Sequence, residues 1–217
     1  MGDTNFDSVD VSEGYKVDGT EIIDGDGDIA ASALGVEQYV ILKPDVAVDT
    51  FVAAEDISGG GTIVCTLART ISDYPRNLFY TLTDAAATTL VGAFTTVGTD
   101  QFGVAATETV TVTVATATAV AGTQIFSTIT SITVVLTNAA ASDTADVGVS
   151  IVADVASFGL PKPITAVTDV MAVNWVDNGT SKTQNIDATS VVVARDCFRP
   201  EQTVAAADDY ILLYDPT

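Results

Sequence analysis

The sequence predicts an all-β protein: an antiparallel β-sandwich or barrel with an extended acidic N-terminal arm. Period-two alternation is the first reason. In Val110-Thr111-Val112-Thr113-Val114 the valines fall on one face of a strand and the threonines on the other. Composition is the second. Runs of Val, Ile, Thr, Phe and Tyr fill the stretch from Pro75 to Ile151, and β-branched side chains lose little rotamer freedom on a pleated surface. Punctuation is the third, because Gly, Asn or Asp separates these runs at short spacing, as in antiparallel sheets.

The arm, residues 1–35, holds nine of the 29 acidic residues and one lysine, Lys16. Asp18-Gly19 between Tyr15–Val17 and Thr20–Ile23 is a hairpin signal, and Asp24 to Asp28 is a second turn cluster. With so few large apolar side chains the arm cannot make its own core, so it is expected to be flexible or ordered by partner chains. Residues 36–157 are expected to form the main β-sandwich. Its first strands are VEQYVILK, VAVDTFVA and TIVCTLART, broken by Pro44-Asp45 and by Ser58-Gly59-Gly60-Gly61. Further strands are expected near 76–83, 89–97, 104–114, 123–137 and 145–152, the fourth of these bent or bulged. Thr99 to Gly103 reads as a hairpin loop closed by Gly103. Residues 158–217 supply C-terminal strands that complete the sandwich or form a small β subdomain. Phe158 to Pro163 holds two prolines and reads as a rigid, extended connector. ITAVTDVMAVNWV, SVVVARDCF and YILLYD read as strands, and the Ala-rich segments 153–157 and 204–208 as single turns.

Charge narrows the function. Against 29 acidic residues stand 8 basic ones, a net −21. Nucleic-acid binding needs basic clusters, and an anionic membrane surface repels such a chain, so neither partner is expected. Mutual repulsion keeps the surface solvated, and the scarcity of lysine fits a halophilic or marine source. The start MGDTNFDSVD lacks the basic and apolar regions of a secretory signal, and Phe6 stands where a myristoylation motif needs Ser or Thr. No apolar run reaches the length of a membrane span. The chain is therefore expected to be made in the cytoplasm and to stay soluble until it assembles onto something.

Few constellations carry chemistry. The chain has no histidine, which removes the Ser-His-Asp and Cys-His systems and the common zinc sites. No phosphate-binding glycine loop is present. No catalytic residue, cofactor site or metal site is assigned, and an enzyme is not expected. Asp24, Asp26 and Asp28 alternate as in a calcium loop, but Ile29 replaces the required glycine and Gly35 the bidentate Glu; a plain acidic turn is the expectation, with cation binding left open. Cys65 and Cys197 sit in apolar runs and are expected to be buried free thiols. Trp175, Tyr39, Tyr80, Phe79 and Phe126 are expected as core or interface anchors. Arg69, Arg76, Arg195 and Arg199 are candidates for salt bridges between subunits, with local surface pairs as the alternative.

Four segments bear a resemblance: Pro75-Arg76-Asn77-Leu78, Val97 to Gly103, Thr107-Glu108-Thr109-Val110, and Gly122 to Ile132. They resemble β-sandwich proteins of the virions of tailed bacterial and archaeal viruses, on heads and tails. Lys16 to Asp24, KVDGTEIID, is similar to segments of trimeric phage head and tail fibres. The resemblance implies a capsid decoration (cement) protein, a homotrimer bound to the major capsid protein on the virion surface. A tail or fibre-base component is the alternative within the virion, and a carbohydrate-binding adhesin module the alternative outside it.

Overall fold

The computed structural model describes residues 15–17, 20–23, 37–47, 49–86, 89–114, 117–177 and 180–215, and it is all-β. In the arm, β1 (Tyr15–Val17) and β2 (Thr20–Ile23) pair antiparallel, as the intervening Asp-Gly predicts. The rest of the arm, including Asp24, Asp26 and Asp28, lies outside the described residues. The strands that follow are β3 (Glu37–Leu42), β4 (Val52–Asp56), β5 (Gly61–Val64), β6 (Ile71–Thr83), β7 (Leu90–Thr99), β8 (Ala105–Val114), β9 (Ala117–Thr137) and β10 (Thr144–Val149). The C-terminal part adds β11 (Phe158–Gly159), β12 (Val170–Asp177), β13 (Thr180–Thr183), β14 (Val191–Val192), β15 (Cys197–Phe198) and β16 (Asp209–Tyr214).

Strand β9 makes the sandwich. Its first half pairs with β6, from Thr83↔Ala117 to Arg76↔Phe126. Its second half leaves β6 and runs between β7 and β5. One layer is therefore β4-β10-β6-β9, and the other is β5-β9-β7-β8. Their inner faces meet in a core of Leu78, Tyr80 and Leu82 from β6, Val147 from β10, Phe94 from β7, Val110 and Val112 from β8 and Val134 from β9. The expected bend appears as register shifts, between Asn77 and Phe79 on the β6 side and between Val97 and Gly98 on the β7 side. Gly98 permits it, because a Cβ there would stand 2.0 Å from the Thr128 carbonyl oxygen.

A second core lies beside the first. The four-stranded sheet β13-β12-β16-β3 packs Ile41, Val173, Tyr210, Leu212 and Tyr214 against Phe158, Leu160 and Phe198. Strand β3 precedes the sandwich in sequence yet pairs with β16, from Leu42↔Asp209 to Glu37↔Tyr214. Alternation in EQYVIL places Tyr39 and Ile41 on its covered side, and Lys162 pairs with Glu37 at its start.

Several segments depart from period-two expectation where an aspartate offers the backbone other partners. In VAVDTFVA only Val52 onward is strand, because the Asp45 carboxylate accepts from Ala47 N and Thr50 Oγ1 and winds the chain before it. The Asp169 carboxylate accepts from Thr165 N and Ala166 N, so a 3-10 turn at Val167–Asp169 replaces the start of the expected strand. SVVVARDCF breaks into β14 and β15 around a 3-10 turn at Val193–Arg195, ended by Asp196 in the left-handed region at φ 48°. The connector begins as strand β11, which bridges β6 and β15. The expected turns form at 153–155 and 206–207.

Candidate functional site

Arg76 and Asn77 sit in β6 where the two cores meet. The Arg76 side chain is fully buried. Its Nη1 donates to the Asp45 carbonyl and its Nη2 to the Ser150 carbonyl at 2.8 Å, while the guanidinium lies 4.5 Å above the Phe158 ring. Burial pushes its pKa down to about 10, opposed by the Asp73 and Asp45 carboxylates, so it stays charged at neutral pH. The Asp73 carboxylate is 3.8 Å away and accepts the Asp45 amide at 2.6 Å. An arginine suits the place because its planar fork satisfies two carbonyls from different segments at once.

Asn77 completes the joint on the sandwich side. Its Nδ2 donates to the carbonyls of Gly122 (2.9 Å) and Val155 (3.0 Å), and its Oδ1 accepts from Ser157 N (2.8 Å). The β6–β9 ladder is broken beside it, so the amide supplies bonds that the backbone cannot. Every polar atom of that side chain is used to its geometric purpose of holding chain to chain.

Glu108 does the corresponding work from β8. Its Oε1 accepts from Thr123 N (2.6 Å), Thr123 Oγ1 (3.0 Å) and Gln124 N (3.0 Å), where β9 bulges away from β6. Its Oε2 is buried without a partner in space left open by Gly122, where a Cβ would come within 2.2 Å of it. Replacing Glu108 by alanine is expected to cost about 1–2 kcal/mol, since water can reach part of the freed backbone. Glu108→Gln should cost less, because its amide oxygen can still accept. Urea unfolding of the three proteins checks this order, and equal midpoints would remove Glu108 from the joint.

A groove of about 310 Å³ opens between the β7–β8 loop and the C-terminal 3-10 turn. Its polar groups are also engaged in holding backbone. Gln101 Nε2 donates to the Arg195 carbonyl (3.0 Å), Arg195 Nη1 to the Thr123 carbonyl (2.7 Å), and Asp196 Oδ1 accepts from Ile164 N (2.7 Å). Asp100 Oδ1 accepts from Phe102 N and Val104 N, both at 2.9 Å, which shapes the hairpin loop read from Thr99 to Gly103. No nucleophile stands against a base here.

The sequence-predicted residues divide clearly. Tyr80 and Phe126 are core, Tyr39 and Phe79 are half-buried, and Trp175 stacks on Tyr210 with ring centroids 6.5 Å apart. Cys65 and Cys197 are buried free thiols, and burial pushes the Cys65 thiol up to about 11. The expectation for Arg76 is corrected: a buried guanidinium bonded to carbonyls of its own chain cannot bridge subunits. Arg69 pairs with Asp45 at 2.9 Å, and Arg195 and Arg199 likewise have partners within the chain. The joint itself had no signal in periodicity, because Arg76 looks like any charged residue at a strand end. Among the described residues no three His, Cys, Asp or Glu side chains gather as a metal site, and no helix is long and apolar enough to cross a membrane. No known protein family, curated protein or solved structure matches the chain.

Proposed function

We propose that this chain is a structural virion protein, a decoration (cement) protein on the outside of a viral capsid, bound to the major capsid protein. One observation carries the reading. Among the residues that bear the resemblance to virion β-sandwich proteins, Arg76, Asn77, Gly98 and Glu108 sit where strands are locked together. Their polar atoms hold backbone, so the motif is a mechanical one. The working free energy is then that of association: a protein that binds the assembled shell and not its dissociated state stabilises the shell by mass action. A symmetric homo-oligomer, with three copies as the resemblance implies, multiplies that effect through simultaneous contacts. At −21 per chain, bringing copies together concentrates like charge, so assembly should strengthen as salt screens it.

The test adds the purified chain to shells of the tailed virus that encodes it, stripped of their own decoration. Co-sedimentation with the shells and a higher temperature of shell rupture are expected. Binding to tails but not to heads would favour the fibre-base alternative. Binding to neither, with retention on a glycan array, would favour the adhesin.

A further inference from the structure

The outer face of the layer β5-β9-β7-β8 bears no charge. Its central row is Thr109, Thr95, Thr133 and Val64, and the next is Thr111, Ala93, Val135 and Thr62. Rows of three centred on Val91 and Val97 flank these, so two rows of four and two of three give fourteen side chains, all Thr, Ser, Val or Ala. A surface of that size ordinarily carries about four charged side chains. Val64 is 69% exposed and Val135 52%, so apolar area stands open to solvent between the threonines.

The chemistry of the face selects its partner. A sugar would need an aromatic ring to stack on, a phosphate would need Lys or Arg, and a hard cation would need carboxylates. The face offers none of these. A second copy of the chain, itself at −21, meets opposing carboxylates wherever acidic surface is brought against acidic surface. On this face no carboxylate opposes a second copy, and apolar area can be removed from water. From strand and row spacing the face spans about 500 Å² in projection. Each copy that covers its face removes about 500 Å² from water, so two copies bury on the order of 1,000 Å² and three on the order of 1,500 Å², at or just above the lower limit for a specific contact.

We propose that the uncharged Thr/Val face of β5-β9-β7-β8 is the surface through which copies of this chain meet about their symmetry axis. This deepens the assembly reading above by naming the face that carries the subunit contact.

Sedimentation velocity of the full chain at low and molar salt, across a concentration series, tests it. The wild type should self-associate, more tightly at high salt. Val135→Glu should raise the dissociation constant at least ten-fold, whereas Val135→Thr should stay near wild type. Gln38→Glu puts the same charge on the outer face of the four-stranded sheet and should change nothing. A wild type that stays monomeric throughout overturns the proposal, as does dissociation by Gln38→Glu and not by Val135→Glu. Should Val135→Glu lose its β circular dichroism, spin labels on Thr109→Cys decide instead: a resolved distance between copies supports the contact, and its absence overturns it. A monomer that still binds shells sinks only this face. An oligomer formed through the face that binds no shell sinks only the capsid reading.

Discussion

Arg76→Met is expected to destabilise the fold by about 3–5 kcal/mol, the largest effect of any exchange that conserves side-chain volume here. Two terms oppose each other. Methionine removes the cost of burying a guanidinium, which is what depresses the Arg76 pKa. It also strands the carbonyls of Asp45 and Ser150, and removes the guanidinium that stands 3.8 Å from the Asp73 carboxylate. Each buried carbonyl left unbonded costs about 1–3 kcal/mol, so the stranded acceptors outweigh the relief. Arg76→Lys should recover only part of the loss, because one ammonium cannot fork to two carbonyls. Because Arg76 joins two cores, its loss should also uncouple them. Trp175 lies in the second core, so its fluorescence should change at lower urea than the far-ultraviolet circular dichroism, whereas the wild type shows one coincident transition. An Arg76→Met protein with the wild-type midpoint would contradict this account of the joint.

Gly98→Ala should be comparably severe for a purely steric reason. The added methyl would stand 2.0 Å from the Thr128 carbonyl oxygen and 3.1 Å from the Ile129 Cα, both backbone atoms that no rotamer change can move. Relief requires β7 to part from β9 at the bend, at the cost of the ladder there and of the 2.6 Å Thr99–Thr128 hydroxyl pair. Overpacking of a core commonly costs about 1–3 kcal/mol, and a clash between two backbones belongs at or beyond the top of that range. Gly103→Ala is the informative contrast. Gly103 has φ 77° but open space around its Cβ position, so alanine there pays only left-handed strain of about 1–2 kcal/mol. Thermal midpoints of both variants measure the difference. Gly98→Ala melting above Gly103→Ala would refute the close-approach argument.

The contrast between those glycines also shows what could be read from sequence. Gly103 closes a hairpin whose chemistry is local, as is that of Asp18-Gly19, and both hairpins are visible in the letters. Strands β7 and β8 are visible too, because period-two alternation records which face is covered. Gly98 looks like an interruption of a strand until the partner backbone is known. The buried state of Arg76 depends on Phe158 and Ser150, which lie more than seventy residues away in sequence. Two-residue strands such as β11, β14 and β15 have too few side chains to show a period, and only their neighbours define them. The early break in VAVDTFVA follows from one carboxylate, Asp45, turning back on its own chain.

The pairing of β3 with β16 has a consequence in time. During synthesis the chain emerges from the ribosome at about 5–20 residues per second, so β3 waits on the order of ten seconds or more for β16 to be made. Throughout that interval Tyr39 and Ile41 have no permanent cover, and the four-stranded sheet cannot close. The sandwich strands between them can pair meanwhile, since the last of them, β10, ends at Val149, well before β16 begins at Asp209. Folding is thus ordered by delivery: the middle of the chain first, and its flanks last. At a net −21, the same chain also repels its neighbours while half-made, which holds nascent chains apart until their last strand arrives.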